Sequence, residues 1–429
     1  MKVLLLNTSD TAGGAAQACS RLYRALQQAG AEVQFWVNKK SGSAEDIHSF
    51  NENFLQKKFS DVRFAAERML LYPKLKNKRD LFFFSPASTG MDISGHPAVR
   101  WADIIHLHWF NQGFLSLQSL EKLAGLGKKI VWTLHDMWAF TGGCHYSRGC
   151  ESFKNHCGRC PYLSAGNEND GSAEIWKRKS GIYKKEIFTF VTCSRWLAGI
   201  ASQSSLLKGF TIYSIPNPID VDVFSPLDKQ TARKKLGLNA GKFFILFASQ
   251  NLGDERKGFR YLREAVEIIC HNYPDISQNA EMLVFGKQKV NLAEMLPLPL
   301  HSLGTLSSVH DIVAAYNAAD VFVLPSLEDN LPNTVMEALS CGVPVVSFNT
   351  GGIPEMVEHE KNGWLASQRS SGELAEGIVR IMKNELPYSA LSQQARQKVM
   401  DNFTHERVAE KYRELYSRVY SRNVSQPGA

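Results

Sequence analysis

With 429 residues, 44% hydrophobic and 21% charged, the chain has the make-up of a globular protein of two or three domains that needs no disulfide staples. Its net charge of +7 is too mild for a dedicated nucleic-acid binder. It suits an enzyme of phosphorylated ligands, a protein resting on an anionic membrane, or simply a basic solvated surface. The first apolar run, Val3 to Leu6, is too short for a signal-peptide core, and no stretch of about 18 apolar residues exists. The expectation is a cytosolic protein, whose eight cysteines are thiols or metal ligands rather than disulfides.

In chain order, the apolar segments 2–7, 32–37, 103–109, 129–136, 188–194 and 210–217 predict strands. AAQACSRLYRALQQAG (15–30) has apolar positions at three- and four-residue steps and predicts a helix that stops at Gly30. The stretch 56–80 mixes Lys and Arg with Phe59, Phe64, Met69, Leu70 and Leu71. Two readings stand: a surface helix packed on its domain, or a basic amphipathic helix lying on anionic lipid. IPNPIDVDVFSP (215–226), rich in proline and aspartate, reads as a connector. Beyond it, strands are predicted at 243–249, 281–286, 321–326 and 344–349, and helices at 257–272, 308–319, 332–341 and 371–384. Alternating strand and helix predicts two doubly wound α/β domains, 1–214 and 215–404, with a further helix over about 405–429.

The segment PSLEDNLPNTVMEALSCG (325–342) follows a predicted buried strand. Open α/β sheets bind ligands at the carboxyl ends of their strands, and a helix starting there favours phosphate. Asp329 in the loop and Glu337 on the first or second helical turn can face one cleft and accept hydrogen bonds from sugar hydroxyls. Glu337 alone would read as a helix-dipole acid. In DERKGFRYL (254–262), Arg256 and Lys257 precede a predicted helix and can neutralise a diphosphate leaving group, or else are merely solvated. Gly13-Gly14 permits a tight turn after the first strand, with no Gly-x-Gly-x-x-Gly pattern to suggest a nicotinamide cofactor. His135 ends the fourth strand facing the expected cleft. His106 and His108 share one strand face as ligands, acceptor contacts or satisfied core residues, the last being the favoured reading for His106.

The 325–342 segment resembles the Glu-x7-Glu region of glycosyltransferase family 4. It has Asp329 for the first acid and Asn330-Leu331-Pro332 for the usual Gly-Phe-Gly. GGIPEMV (351–357), NGW (362–364), the Gly-Gly-Ala loop at 13–15 and the 215–226 connector extend the match over most of the chain. The resemblance implies a GT-B fold: two Rossmann-like domains facing across a cleft, the N-terminal one taking the acceptor and the C-terminal one a nucleotide-diphospho-sugar, with the 405–429 helix crossing back. It implies that Glu337 binds the donor ribose and Asp329 the transferred sugar. Asn330 and backbone around Leu331, Pro332, Asn333 and Thr334 would hold diphosphate and sugar, with Gly13 and Gly14 also at the donor. His135 matches a family histidine. Lys257 matches the family lysine, but Leu252 stands where its arginine belongs, so Arg256 takes that part. Transfer would retain the anomeric configuration, with no catalytic metal or organic cofactor.

Cys144, Cys150, Cys157 and Cys160 fall within 17 residues. Structural zinc, disulfides and free thiols are all open there, and four thiolates would close the metal's coordination. This pattern places the resemblance nearest to bacterial colanic acid and capsule enzymes, which act on glycan or lipid-linked acceptors, here at the inner face of the plasma membrane and with no nucleic acid. Two rivals remain: a sugar-nucleotide epimerase of the same fold, and a zinc-stabilised module binding RNA or another anionic polymer. The chain lacks aromatic-basic RNA motifs.

Overall fold

The computed structural model describes residues 1–287 and 292–421. It divides into two compact units, Met1–Pro218 with the helix that continues from Val408, and Ile219–Arg407.

The first unit holds strands β1 (Lys2–Ser9), β2 (Glu32–Lys39), β3 (Ile47–Ser49), β4 (Ile104–Leu107), β5 (Lys129–Leu134), β6 (Phe188–Thr192) and β7 (Ile212–Ser214). They form one sheet in the order β3-β2-β1-β4-β5-β6-β7, and every pairing is parallel. Parallel sheets are covered on both faces, and β5 and β6 accordingly have no exposed residue. Side chains alternate across the sheet. Leu4 and Leu6 enter one core with Leu107, Trp132 and Phe190, while Val3 and Leu5 enter a second with Val131 and Val191.

Helices α1 (Gly14–Gln28), α2 (Phe54–Leu71), α3 (Pro97–Trp101), α4 (Leu117–Gly125), α5 (Gly171–Ile182) and α6 (Arg195–Ala201) connect these strands. Helix α1 buries Ala18, Cys19, Leu22, Ala25 and Leu26 at the predicted helical steps.

The second unit contains β8 (Phe243–Asn251), β9 (Ala280–Lys287), β10 (Leu300–Ser302), β11 (Val321–Leu324), β12 (Val345–Phe348) and β13 (Gly363–Ala366). Its sheet runs β10-β9-β8-β11-β12-β13, again all parallel. Helices α7 (Lys229–Lys235), α8 (Phe259–Asn272), α9 (Pro274–Ser277), α10 (Val309–Ala318), α11 (Asn333–Ser340), α12 (Ser371–Met382) and α13 (Tyr388–Asn402) complete it. Helix α14 (His405–Ser421) then sends Val408, Tyr412, Leu415, Tyr416 and Val419 into the second core of the first unit.

Two expectations change. The predicted strand 210–217 contracts to the three residues of β7, since only these pair with β6. The surface-helix reading of 56–80 is half right. Helix α2 does pack on its unit, but Phe59, Met69 and Leu70 stay exposed and only Leu71 of the named apolar residues is buried.

Candidate active site

The loop 325–332 leaves the end of β11 and enters α11. Pro332 is the N-cap of that helix, and no side chain caps it. The N-cap side chain itself thus offers the opening turn of α11 no acceptor, unlike the Ser, Thr, Asp or Asn common at that position.

Asp329 sits buried in the loop, and two cations from another loop reach it. Lys257 Nζ stands 2.5 Å from Asp329 Oδ2 and Arg256 Nη1 3.8 Å from the same oxygen. Ser326 Oγ donates to that oxygen at 3.3 Å. Burial alone would raise the Asp329 pKa, but Lys257 and then Arg256 outweigh it and hold the carboxyl below its ordinary range. Asp329 is thus a carboxylate at neutral pH.

Lys257 and Arg256 lie on a 3-10 turn, Glu255–Lys257, capped by Asp254. Arg256 also donates to Glu328 O at 2.8 Å and pairs with Asp254 at 3.1 Å, so its guanidinium ties the turn to the 325–332 loop. The next residue, Gly258, has φ +74°, and a Cβ there would stand 1.9 Å from Pro325 O. Only glycine lets the two segments approach this closely. Leu252, at the position of the family arginine, is buried and brings no charge.

Glu337 lies on the second turn of α11, buried, with Oε2 accepting from the Tyr316 hydroxyl at 2.9 Å. Asn330 and Leu331 are also buried. The glycines at 351–352 serve the protein's own backbone. Gly351 has φ +62° and a Cβ on it would lie 1.9 Å from Asp329 O, while Gly352 N donates to that oxygen at 3.0 Å. Their role is to lock the loop that carries Asp329.

Gly13, Gly14 and His135 belong to the first unit. Gly13 is the N-cap of α1 at φ 95°, a conformation that favours glycine. His135 follows β5; its Nε2 is 2.9 Å from His108 Nδ1, and its Nδ1 is 3.6 Å from Cys193 Sγ. Burial pushes the His135 pKa down to about 4, against the opposing pull of Asp136. It is a neutral hydrogen-bonding group at pH 7 and supplies no positive charge. His106 is a satisfied core histidine, bonded to Tyr416 at 2.7 Å and Thr133 at 2.8 Å.

Sequence reasoning missed Asp136, which is adjacent to His135. Its carboxylate accepts from His145 Nδ1 at 2.7 Å, Trp109 Nε1 at 3.0 Å and Trp138 N at 2.8 Å, and His145 Nε2 meets Ser85 Oγ at 2.9 Å. This Ser–His–Asp order resembles a hydrolytic triad, but Ser85 is fully buried, so it acts as a clamp between the β5 loop and the cysteine-bearing segment.

Cys144, Cys150, Cys157 and Cys160 line one cavity of about 20 Å3, and all are free thiols. Burial raises the pKa of Cys157 to about 11 and of Cys160 to about 12. Among the described residues, no group of three or more His, Cys, Asp or Glu is drawn together so as to hold a metal ion.

Two all-parallel α/β units, the second with a charged loop at a strand end and a helix starting beside it, define the GT-B architecture. The Anabaena protein HepE, solved with UDP-glucose, has this fold: TM-score 0.63 at 15% identity, covering 97% of this chain and all of that one. A model described as Glycosyltransferase Family 4 matches residues 12–223, and one described as Glycosyl transferases group 1 matches 228–398. The chain belongs to the glycosyltransferases, with a family 4 domain followed by a group 1 domain. It is 25% identical over 399 residues to the Escherichia coli K12 glycosyl transferase WcaC, assigned by its name to colanic acid biosynthesis, covering 90% of this chain and 91% of WcaC. It is 28% identical over 210 residues to an Escherichia coli UDP-Gal:alpha-D-GlcNAc-diphosphoundecaprenol alpha-1,3-galactosyltransferase, covering 47% of this chain and 53% of that one.

Proposed function

We propose that this glycosyltransferase moves a sugar from a nucleotide-diphospho-sugar to a glycan or lipid-linked acceptor, with retention of anomeric configuration, in the assembly of a cell-surface polysaccharide. The observation that carries the reading is the cation pair Arg256–Lys257 held over Asp329 beside the start of α11. Two positive charges and the opening of a helix form a natural seat for a diphosphate. As the sugar–phosphate bond breaks, negative charge grows on the departing diphosphate, and these groups stabilise it without reorganising. Asp329 and Glu337 accept hydroxyls of the transferred sugar and the ribose. The reading assigns no step to a catalytic metal or organic cofactor. The names of WcaC and of the diphosphoundecaprenol galactosyltransferase, and the UDP-glucose complex of HepE, support the acceptor and donor classes.

The acceptor goes to the first unit. A polar groove of about 540 Å3 there, lined by Asn38, Lys40, His48, Asn51 and Lys57 among others, supports this. Its Asn38 Nδ2 is a buried donor with no partner among the described residues. We place the enzyme in the cytoplasm, at the inner face of the membrane that carries such acceptors. For the four cysteines we propose structural zinc, since four soft donors already line one cavity. Binding would have to draw the thiols inward and take their protons.

A nucleotide-sugar panel screened by thermal shift tests the donor reading, because a ligand that binds only the native state raises the melting temperature. One nucleotide sugar should stabilise the wild type and leave Glu337→Ala unmoved. Equal shifts in both proteins would remove Glu337 from the donor site.

A further inference from the structure

Helix α2 is packed in reverse. A surface helix ordinarily buries its apolar stripe and exposes its charges. Here the buried residues are Ser60, Glu67, Arg68 and Leu71, and polar contacts hold the helix down. Ser60 Oγ donates to Asn38 Oδ1 at 3.2 Å and Arg63 Nε to Gly113 O at 3.1 Å. Glu67 pairs with Arg68 at 2.5 Å, and Arg68 donates to Phe84 O at 3.0 Å.

The outward side carries Leu55, Phe59, Val62, Met69 and Leu70, each between 59% and 74% exposed. Their spacing sets them on one face of the helix. Exposed Tyr72 and Phe82 follow in the 3-10 turns beyond. A contiguous apolar face of this kind marks a surface that meets another apolar phase.

Charge selects the partner. Lys58, Lys74, Lys76 and Arg79 are exposed along the same stretch. The exposed acids there are Glu52 and Asp61, and Asp61 is already paired with Lys39 at 2.5 Å. The surplus is positive. A second copy on the same face would bring two sets of cations together, which opposes self-association. No helix among the described residues is long and apolar enough to cross a membrane, so contact through α2 would be peripheral.

We propose that this face of α2 docks on an anionic lipid bilayer. The apolar side chains enter the boundary between headgroups and acyl chains, while the lysines and Arg79 lie at the lipid phosphates. The proposal deepens the placement of the enzyme beside lipid-linked acceptors, but docking itself requires neither donor nor acceptor. The same helix lends Lys57 and Ser60 to the polar groove of the first unit, so a docked α2 would hold that groove at the headgroup layer.

The test is co-sedimentation of the full chain with vesicles of phosphatidylcholine alone or mixed with phosphatidylglycerol. Wild type should bind the mixed vesicles and release as salt rises. The variant Leu55→Ser/Phe59→Ser/Met69→Ser should keep its melting temperature and lose at least about tenfold in partitioning. Lys58→Gln/Lys74→Gln/Lys76→Gln/Arg79→Gln should lose several-fold per charge on mixed vesicles only. Equal binding to neutral and anionic vesicles, unchanged binding by the serine variant, or a dimer in solution that the serine variant dissolves would each overturn the proposal. Transfer to a water-soluble acceptor, measured without vesicles, should be the same in wild type and serine variant. Its absence in both would count against the transfer reading and leave docking untouched.

Discussion

Lys257→Met separates what the cation does for the fold from what it does for the reaction. In wild type, Lys257 and Asp329 have side chains only 17% and 9% exposed and meet at 2.5 Å. Breaking a buried pair leaves an uncompensated charge and costs about 3–5 kcal/mol when nothing replaces the lost partner. Arg256 remains at 3.8 Å and Ser326 at 3.3 Å, so the expected loss is smaller, about 2 kcal/mol. For a unit of some 190 residues this lowers its melting midpoint by roughly 4–8 °C. Adding Asp329→Asn removes the stranded charge and should return most of that midpoint. Activity should behave differently. Turnover of a nucleotide-sugar donor should fall about 10²–10³-fold in Lys257→Met, the scale for losing one electrostatic stabiliser of a transition state, and stay low in the double variant. The assays are calorimetry and product formation under saturating donor. If the double variant regains turnover along with stability, Lys257 only offsets the charge of Asp329, and both its diphosphate role and the sugar contact of Asp329 are refuted.

Three further outcomes follow from the geometry. Gly351→Ala should lower the melting midpoint of the second unit and weaken donor binding, because the new methyl group meets Asp329 O at φ +62°. Gly372→Ala, with nothing within 4 Å, should do neither. Stability should fall as pH drops below about 6.5, since His106, His108 and His135 are held neutral by burial, His106 down to about 3 and His135 to about 4. The unfolded chain then takes up the proton first, so stability is full above the unfolded value and is lost toward the folded one, by up to about 1.4 kcal/mol per pH unit for each histidine. A melting midpoint that is flat from pH 7 to 5 would contradict this. Metal analysis of purified protein should find about one zinc per chain, lost in Cys157→Ser; a folded protein without metal would end the zinc proposal.

The central strands were legible because parallel strands covered on both faces read as apolar runs bounded by polar turns, as KIVWTL does. Strands β3, β10 and β13 were missed. β3 and β10 are three mostly unburied residues each and β13 opens on Gly363, so none shows the unbroken apolar run that marks β11, and their neighbours in the sheet define them. The apolar residues of α2 were plain in the sequence, but which side faces the protein was not. That depends on Asn38, Gly113 and Phe84, brought to the helix by tertiary folding. The same holds at the candidate site. Motif spacing singles out Asp329, Lys257 and Glu337, yet the contact between Lys257 and Asp329 joins residues 72 apart. The sequence shows the paired glycines at 351–352 as part of the family match, and the structure adds that Gly351 closes on the backbone of Asp329. Asp136 and His145 carried no sequence signal, since their partners Trp109 and Ser85 lie far along the chain.

Helix α14 completes the core of the first unit, setting Tyr412 on Thr133 and Tyr416 on His106. Between Pro218 and Val408 the ribosome must make the whole second unit, about 190 residues. At about 5–20 residues per second the first unit waits roughly 10–40 s with the face that α14 covers still open. The second unit, contiguous in sequence, can finish first even though it starts later. The order of synthesis and the order of completion can therefore be reversed in this chain. A truncation before Val408 would strip His106 and Thr133 of the tyrosines that cover them and open that side of the core to chaperones or proteases.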